Sequence, residues 1–537
     1  MSPRSLAAGE TLALSRTYAH CPDPVTLFSE LAEGGRWPNT LLLESAETST
    51  QAGEKSLLVV RSALRARCTG REVEITSLNA NGRSLLPWIA RSLGRDVLVK
   101  DDGSTFVVRY EAPVAGDEEA RLHAPSPMDV LRGMVLSLRP RASERTLLPL
   151  AAGVFSYDLL GQYETLPPPA ADPLGWPEFE LCLADQVVWL NHRQGSATVV
   201  LQVFGGEHAE GVYHDATSAM VRLGEALQRS AGAVGGAGAV DEGQDSRGKT
   251  PSVPTVDLDD AGYGTLVQTL KQHIVAGDVF QIVPSRTFSL PCRDALAAYR
   301  VLRRLNPSPY MFFVHGTRGV LFGASPETAL KVEGRPPRVE IRPIAGTRPR
   351  GKSADGRIDR DLDSRLEADL RLDEKELAEH LMLVDLARND VARVSVPGTR
   401  AVSRLLGVDR YSHVMHLVSH VEGELRPELD ALHAYAATMN MGTLVGAPKL
   451  KAAELLRLHE ATARGPYGGA VGYLAQDGAF DTAIVIRSAV VQHGLGHVRA
   501  GAGVVYDSEP AAEAAETRRK AEAVLEALRQ THDGSEP

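Results

Sequence analysis

A layered α/β sandwich, with helices surrounding antiparallel β-structure, is the fold class the sequence predicts, and three observations predict it. Short β-branched runs separated by polar turns dominate residues 40–110. Beyond residue 257, helical periods alternate with glycine-punctuated strands. With 43% hydrophobic residues among 537, the chain also carries enough apolar surface for more than one core.

Taken in order, residues 39–45, 56–60, 73–78 and 106–110 alternate as strands of one antiparallel sheet. Residues 128–138 have a helical period, 153–159 form a buried strand or turn, and a Pro-rich loop at 167–169 precedes strands at 187–190 and 198–204. The stretch from Ser230 passes from an Ala/Gly run into Asp, Glu, Ser and Lys, and cannot build a core. Residues 230–256 are therefore read as a linker between an N-terminal region (20–229) and a second region (257–530). The latter opens with a helix at 263–276 closed by Gly277, then an extended run at 279–283. Further helices are expected at 372–390, 449–459 and 511–528, and strands at 468–474, 482–487 and 497–505. In the helix at 372–390, Leu377, Leu381 and Val384 fall at i, i+4, i+7 and predict its buried stripe.

The net charge of −10 and a pI near 5.9 argue against nucleic acid or an anionic membrane as partner. Four cysteines (Cys21, Cys68, Cys182, Cys292) without a Cys-x-x-Cys pair exclude a disulfide framework or zinc ribbon. No apolar run approaches bilayer-spanning length, and the first 20 residues lack a signal-peptide core, so a cytoplasmic protein is expected.

Two acidic pairs stand out. Glu376 and Glu379 lie one helical turn apart, as do Glu513 and Glu516. If the two helices face each other, four carboxylates converge and require a hard divalent cation, for which Mg2+ suits oxygen-only ligands. Each pair is equally compatible with a solvated helix edge. Arg487, closing an apolar strand, calls for an anion or a structural salt bridge. Gly501-Ala502-Gly503 can offer backbone N–H groups to a carboxylate or form a bulge, and Gly346-Thr347 is a turn with a hydroxyl. His416 fits a core histidine on pattern alone. Glu327, directly after a proline, fits a cap or salt bridge as well as a working carboxylate.

Five segments in order carry a resemblance: 276–286 (Ala-Gly-Asp-Val-Phe-Gln-Ile-Val-Pro-Ser-Arg), 306–311 (Asn-Pro-Ser-Pro-Tyr-Met), 343–350 (Pro-Ile-Ala-Gly-Thr-Arg-Pro-Arg), 380–390 (His-Leu-Met-Leu-Val-Asp-Leu-Ala-Arg-Asn-Asp) and 441–449 (Met-Gly-Thr-Leu-Val-Gly-Ala-Pro-Lys). With them the chain resembles the chorismate-utilising enzymes of ADC synthase-like fold, most closely the anthranilate synthase component I branch, from about residue 41 to 528. The resemblance implies Mg2+ contact by Glu379 and Glu516, with Glu376 and Glu513 holding metal-bound water. It implies binding of the two chorismate carboxylates by Tyr467, Arg487, Gly501, Ala502, Gly503 and Lys520, and a ring contact at Gly346 and Thr347. Glu327 matches the general acid for the departing C4 hydroxyl, while His416 and Thr443 match positions tied to pyruvate elimination and substrate positioning.

Relatives that add water carry lysine at Gln281, and relatives that make 4-amino-4-deoxychorismate often carry a nucleophilic lysine at Ala345; both departures point to ammonia attack at C2 and an anthranilate product. Leu43, Glu44 and Ser45, together with Asn306, Pro309, Tyr310 and Met311, match the L-tryptophan feedback site. No Gly-x-Cys-x-Gly elbow surrounds any cysteine, so a separate glutamine amidotransferase subunit, and hence a hetero-oligomer, is implied. The alternatives are a paralogue that stops at 2-amino-2-deoxyisochorismate and a non-catalytic tryptophan-sensing subunit.

Overall fold

The computed structural model describes residues 6–45, 55–94, 97–99, 103–111, 117–141, 144–232, 252–353, 355–411 and 414–532. Strands Lys55–Thr69 and Phe179–Asn191 pair along most of their length and form a spine from which two sheets diverge. One runs from Phe179–Asn191 through Leu150–Phe155, Ala470–Ala475, Phe480–Ile484, Thr328–Glu333 and Arg338–Ile341 to Val414–Glu424. The other runs from Lys55–Thr69 through Thr40–Glu44, Tyr310–Gly316, Gly319–Ser325, Ser488–Gln492 and Leu495–Gly501 to Ser285–Pro291. Every pairing along these two paths is antiparallel, so alternate residues face opposite layers.

Between the sheets lies a mostly aliphatic core, including Leu41, Val59, Val154, Val187, Leu321, Val471 and Val485. Helices cover both outer faces. Those at Pro24–Leu31, Ala209–Gly232, Ala295–Leu305 and Pro510–His532 bury their apolar stripes in a second core with Phe28, Phe313, Phe322 and Leu525. On the opposite face, Asp260–Val275, Glu374–Val394, Ala431–Thr438 and Lys449–His459 close a third core around Phe155, Tyr435 and Phe480. The expected layered sandwich is present, as helix, sheet, sheet, helix.

Most expected elements lie within a few residues of their places, and three details differ. The helix expected at 372–390 spans Glu374–Val394 with Asp373 as its cap, but its buried stripe is His380, Leu383, Val384, Ala387 and Val391. Leu381 is 47% exposed. The register turns because buried His380 docks its Nε2 on the Ser419 hydroxyl at 2.7 Å, which sets that side of the helix against strand Val414–Glu424. Arg487 does not end a strand: Phe480–Ile484 stops earlier, and Arg487 sits in the following turn with φ 50°. At the edges of the expected linker, helix Ala209–Gly232 and strand Thr255–Val256, paired with Ser285–Pro291, reach inward; residues 233–251 lie outside the described residues. Among the described residues no helix is long and apolar enough to cross a membrane.

Two of the resembling segments are joined in the core. Lys449 Nζ donates to Asp390 Oδ2 at 2.6 Å and to the Thr438 carbonyl at 2.8 Å, with both ionic side chains 8% exposed. Burial pushes the Asp390 carboxyl up to about 6, against the opposing pull of Lys449. Lys449→Met is expected to cost about 3–5 kcal/mol in urea unfolding, because it strands a buried carboxyl. The double change with Asp390→Asn is expected to recover part of that loss.

Candidate functional site

The acidic helix Glu374–Val394 starts at Asp373, whose carboxylate accepts the Glu376 N–H at 3.0 Å. Arg348, on strand Ile344–Pro349, holds this end: its guanidinium reaches Asp369 (2.6 Å), Asp373 (2.7 Å) and Glu376 (3.2 Å). One residue pair away on the same strand, Gly346 adopts φ 78°, and a Cβ there would stand 3.2 Å from Glu376 Oε2. Glycine is thus required both by the backbone and by the carboxylate beside it.

From Gly346 the contacts can be followed around a ring. His416 Nδ1 lies 2.9 Å from the Thr347 hydroxyl and 3.3 Å from the Gly346 carbonyl. Burial pushes this imidazole down to about 4, with Arg487 among the charges acting on it, so it is neutral near pH 7. Burial also pulls the Arg487 guanidinium down, while Tyr467 and Glu516 oppose that pull. The Tyr467 hydroxyl would be 3.1 Å from a Cβ on Gly501. Lys520 donates to the Gly501 carbonyl at 3.1 Å and pairs with Glu516 at 2.7 Å. Gly503 closes the ring, since a Cβ there would meet Gln281 Nε2 at 2.8 Å and Glu379 Oε1 at 3.8 Å, and Gln281 Nε2 donates to Glu379 at 2.9 Å. The Ala502 N–H is directed at the Pro284 carbonyl (3.2 Å).

Glu327 stands at the edge of this ring, 7% exposed, in the link between strands Gly319–Ser325 and Thr328–Glu333. Burial pushes its carboxyl up to about 8; the Thr443 hydroxyl, the Ile344 N–H and the charge of Lys520 pull the other way. At neutral pH it carries a proton, the state a general acid needs.

The four acidic residues occur as two pairs, each with an internal cation, Arg348 on Glu376 and Lys520 on Glu516. Among the described residues no group of three or more His, Cys, Asp or Glu is drawn close enough to hold a metal ion. Lys375 on the acidic helix lies near enough for its charge to act on both Glu513 and Glu516. Burial and the neighbouring Glu379 hold the Glu376 carboxyl above its ordinary value, and burial and Glu516 do the same to Glu513. Crowded, all-oxygen donors of this kind fit a hard divalent cation, which would relieve both repulsions.

A second site lies between the sheets. Strand Thr40–Glu44 pairs with Tyr310–Gly316, placing Glu44 opposite Met311, and Leu43, Glu44, Ser45, Pro309, Tyr310 and Met311 line a cavity of about 930 Å³. The Ser45 hydroxyl is buried there without a partner. Glu44 accepts from Tyr299 at 2.6 Å and pairs with Arg303 at 3.1 Å. Asn306 instead ends helix Ala295–Leu305 and is not among the lining residues. Sequence reasoning missed the far wall, Lys331, Arg342, Tyr473 and Asp481, because scattered polar residues on strands carry no local signature. It also missed the buried network of Glu460 with Arg464 (2.7 Å) and Arg499 (3.0 Å), in which Arg464 stacks near the Tyr157 and Tyr467 rings.

Residues 104–526 match the family described as chorismate binding enzyme. The chain is 47% identical to anthranilate synthase component 1 of Vibrio cholerae, over 96% of this chain and 95% of that one. It is 48% identical to the pyocyanine-specific anthranilate synthase component 1 of Pseudomonas aeruginosa, over 91% and 90%. The crystal structure of anthranilate synthase component I from Streptococcus pneumoniae superposes with a TM-score of 0.65 at 27% identity, covering 89% of this chain and 93% of that one.

Proposed function

The chain belongs to the chorismate binding enzymes, in their anthranilate synthase component 1 branch, and is a chorismate-utilising lyase; from that premise we propose that it aminates chorismate with ammonia, expels pyruvate and releases anthranilate under feedback control by L-tryptophan. The observation that carries the reading is the ring of contacts linking Glu327, Lys520, Tyr467, Arg487, His416, Gly346 and Glu379. Arg487, Lys520 and Tyr467 bind the substrate carboxylates, with Gly501 and Gly503 allowing close approach. Glu327 gives its proton to the C4 hydroxyl, which departs as water while ammonia forms the C2–N bond and the ring double bonds shift. Loss of the C2 proton and cleavage of the C3–O bond then yield pyruvate and the aromatic ring. Neutral His416, oriented by Thr347, is placed to handle a proton in this second step, with Thr443 positioning the substrate.

Glu379 and Glu516, with Glu376 and Glu513 beside them, would hold Mg2+, which would supply a positive charge that anchors and polarises the ring carboxylate. Ammonia comes from a glutamine amidotransferase subunit, so the working form is a cytoplasmic hetero-oligomer. Residues 20–229 contribute the regulatory wall, 257–530 the catalytic region, and 230–256 joins them.

The test is direct. The purified chain with chorismate, Mg2+ and ammonium is expected to form anthranilate, seen by fluorescence, and pyruvate in equal amounts. A non-aromatic amine accumulating without pyruvate would instead establish the paralogue that stops halfway, and no turnover the sensing subunit. For the regulatory site, Ser45→Ala is expected to raise the tryptophan concentration for half-inhibition by about tenfold, the loss of one buried hydrogen bond, with uninhibited turnover unchanged.

A further inference from the structure

We infer that Arg464 and Arg499 are positioning residues for substrate binding: gathered around buried Glu460, they hold one positive charge in excess behind Tyr467 and make its hydroxyl a stronger donor to a substrate carboxylate. The inference rests on the carboxylate pocket proposed above, with Tyr467 and Gly501 in it, and adds what stands behind that pocket. Arg464 grips Glu460 twice, Nε to Oε2 at 2.8 Å and Nη2 to Oε1 at 2.7 Å, and Arg499 Nη2 reaches Oε2 at 3.0 Å. The side chains of Arg464, Glu460 and Arg499 are 2%, 6% and 9% exposed. Three parts of the pocket hang on this network. Arg464 donates to the carbonyls of Val283 and of Leu444, the residue after Thr443, both at 2.6 Å. Glu460 accepts the N–H and the hydroxyl of Ser285, each at 2.8 Å, and Ser285 pairs with Gly501 across the sheet. Arg499, two residues before Gly501 on the same strand, donates to the Ser285 hydroxyl at 2.8 Å. The Arg464 guanidinium also lies 4.6 Å from the Tyr157 ring centre and 5.9 Å from that of Tyr467, whose N–H donates to the Arg464 carbonyl at 3.2 Å.

The charge count sets this network apart from core packing. Among the described residues Glu460 is the only carboxylate ion-paired with either guanidinium, so two cations share one anion. Burial opposes ionisation of Glu460, but Arg464 and Arg499 overcome it and hold its carboxyl below the ordinary range. The adjoining pair of Arg457 with Asp158, which accepts the Gly465 N–H, balances within itself. A network serving only the fold gains nothing from an unbalanced charge, since buried charge without a partner is costly. An anion close by offsets that cost, and the wall in front of the two guanidiniums is the one that carries the Tyr467 hydroxyl, 3.1 Å from where a Cβ on Gly501 would stand. Positive charge behind a phenol draws electron density from its O–H bond and strengthens it as a donor to a carboxylate. Burial raises the Tyr467 hydroxyl above its ordinary value, and Arg464 and Arg499 pull it the other way.

The experiment measures kcat and the chorismate KM by ammonium-dependent anthranilate fluorescence in Arg499→Gln, Arg499→Lys, Tyr467→Phe and the Arg499→Gln/Tyr467→Phe double variant. Arg499→Gln leaves Glu460 paired with Arg464, so the chain folds, as urea unfolding will report. The expected result for Arg499→Gln is a KM raised about tenfold with kcat within about threefold, the pattern of a lost binding contribution. Arg499→Lys, which keeps the charge, stays within about threefold of wild type in both. In the Tyr467→Phe background the same Arg499→Gln change raises KM by less than about threefold, because the hydroxyl it acts through is gone. Unchanged KM in Arg499→Gln would overturn the inference. So would a fall in kcat matching the rise in KM, a KM for Arg499→Lys as high as that for Arg499→Gln, or a full tenfold effect persisting without the Tyr467 hydroxyl. If Tyr467→Phe alone leaves KM unchanged, the carboxylate pocket itself is misassigned, a result distinct from failure of the network behind it.

Discussion

Glu327→Gln is expected to lower turnover by about 10²- to 10⁴-fold, the usual contribution of a positioned general acid, while the chain folds and binds chorismate. The amide keeps the shape of a protonated carboxyl and the contacts with Thr443 and the Ile344 N–H, but it has no proton to release. The pH dependence follows from the same burial. Because the carboxyl is held up at about 8, the wild-type rate is expected to fall as pH rises through that value. Stability has a related sign: the unfolded chain loses this proton near the ordinary carboxylate value, so between there and about 8 the folded chain binds more protons and loses stability as pH rises. Glu327→Gln removes that slope. Turnover within tenfold of wild type in the variant would exclude Glu327 as the acid.

Glu379→Gln and Glu516→Gln are each expected to reduce turnover by roughly 10³-fold and to weaken Mn2+ binding, measured by equilibrium dialysis, without unfolding the chain. Neither carboxylate is needed for the fold. Glutamine at 379 retains an oxygen for Gln281 Nε2, and its neutrality relieves the repulsion that lifts Glu376. At 516 burial works against ionisation, yet Lys520, paired at 2.7 Å, outweighs it and holds the carboxyl below its ordinary range. The amide there releases Lys520, which separates loss of the cation from loss of charge at the substrate pocket. Wild-type Mn2+ affinity in either variant would remove that residue from the metal site.

Much of this was legible in the chain because it is local. Alternation located most strands, caps and glycines located helix ends, and the acidic pairs are visible as i, i+3 spacings. Legibility stops where a tertiary contact decides. Leu377, Leu381 and Val384 are a sound apolar stripe by spacing, yet the bond of His380 to Ser419 rotates Leu381 into solvent. Arg487 reads as a strand end, but its backbone is left-handed. The i, i+3 spacing shows the pairs Glu376/Glu379 and Glu513/Glu516, but not that Arg348 pairs with Glu376 and Lys520 with Glu516. Such positions are where local preference yields to the site, as strained or charged functional groups commonly do.

The pairing of strand Thr40–Glu44 with Tyr310–Gly316 also sets a timetable for the nascent chain. One edge of the early strand is covered at once by Lys55–Thr69, but Glu44 must wait for Met311, 267 residues later (311 − 44). At roughly 5–20 residues per second a ribosome needs about 15–50 s to deliver that partner. Throughout, a run of three leucines presents an open edge, the kind of surface that templates aggregation. A chain released before residue 316 never covers it. Yield of the folded protein should thus depend on what shelters that edge during synthesis at least as much as on the stability of the finished sandwich.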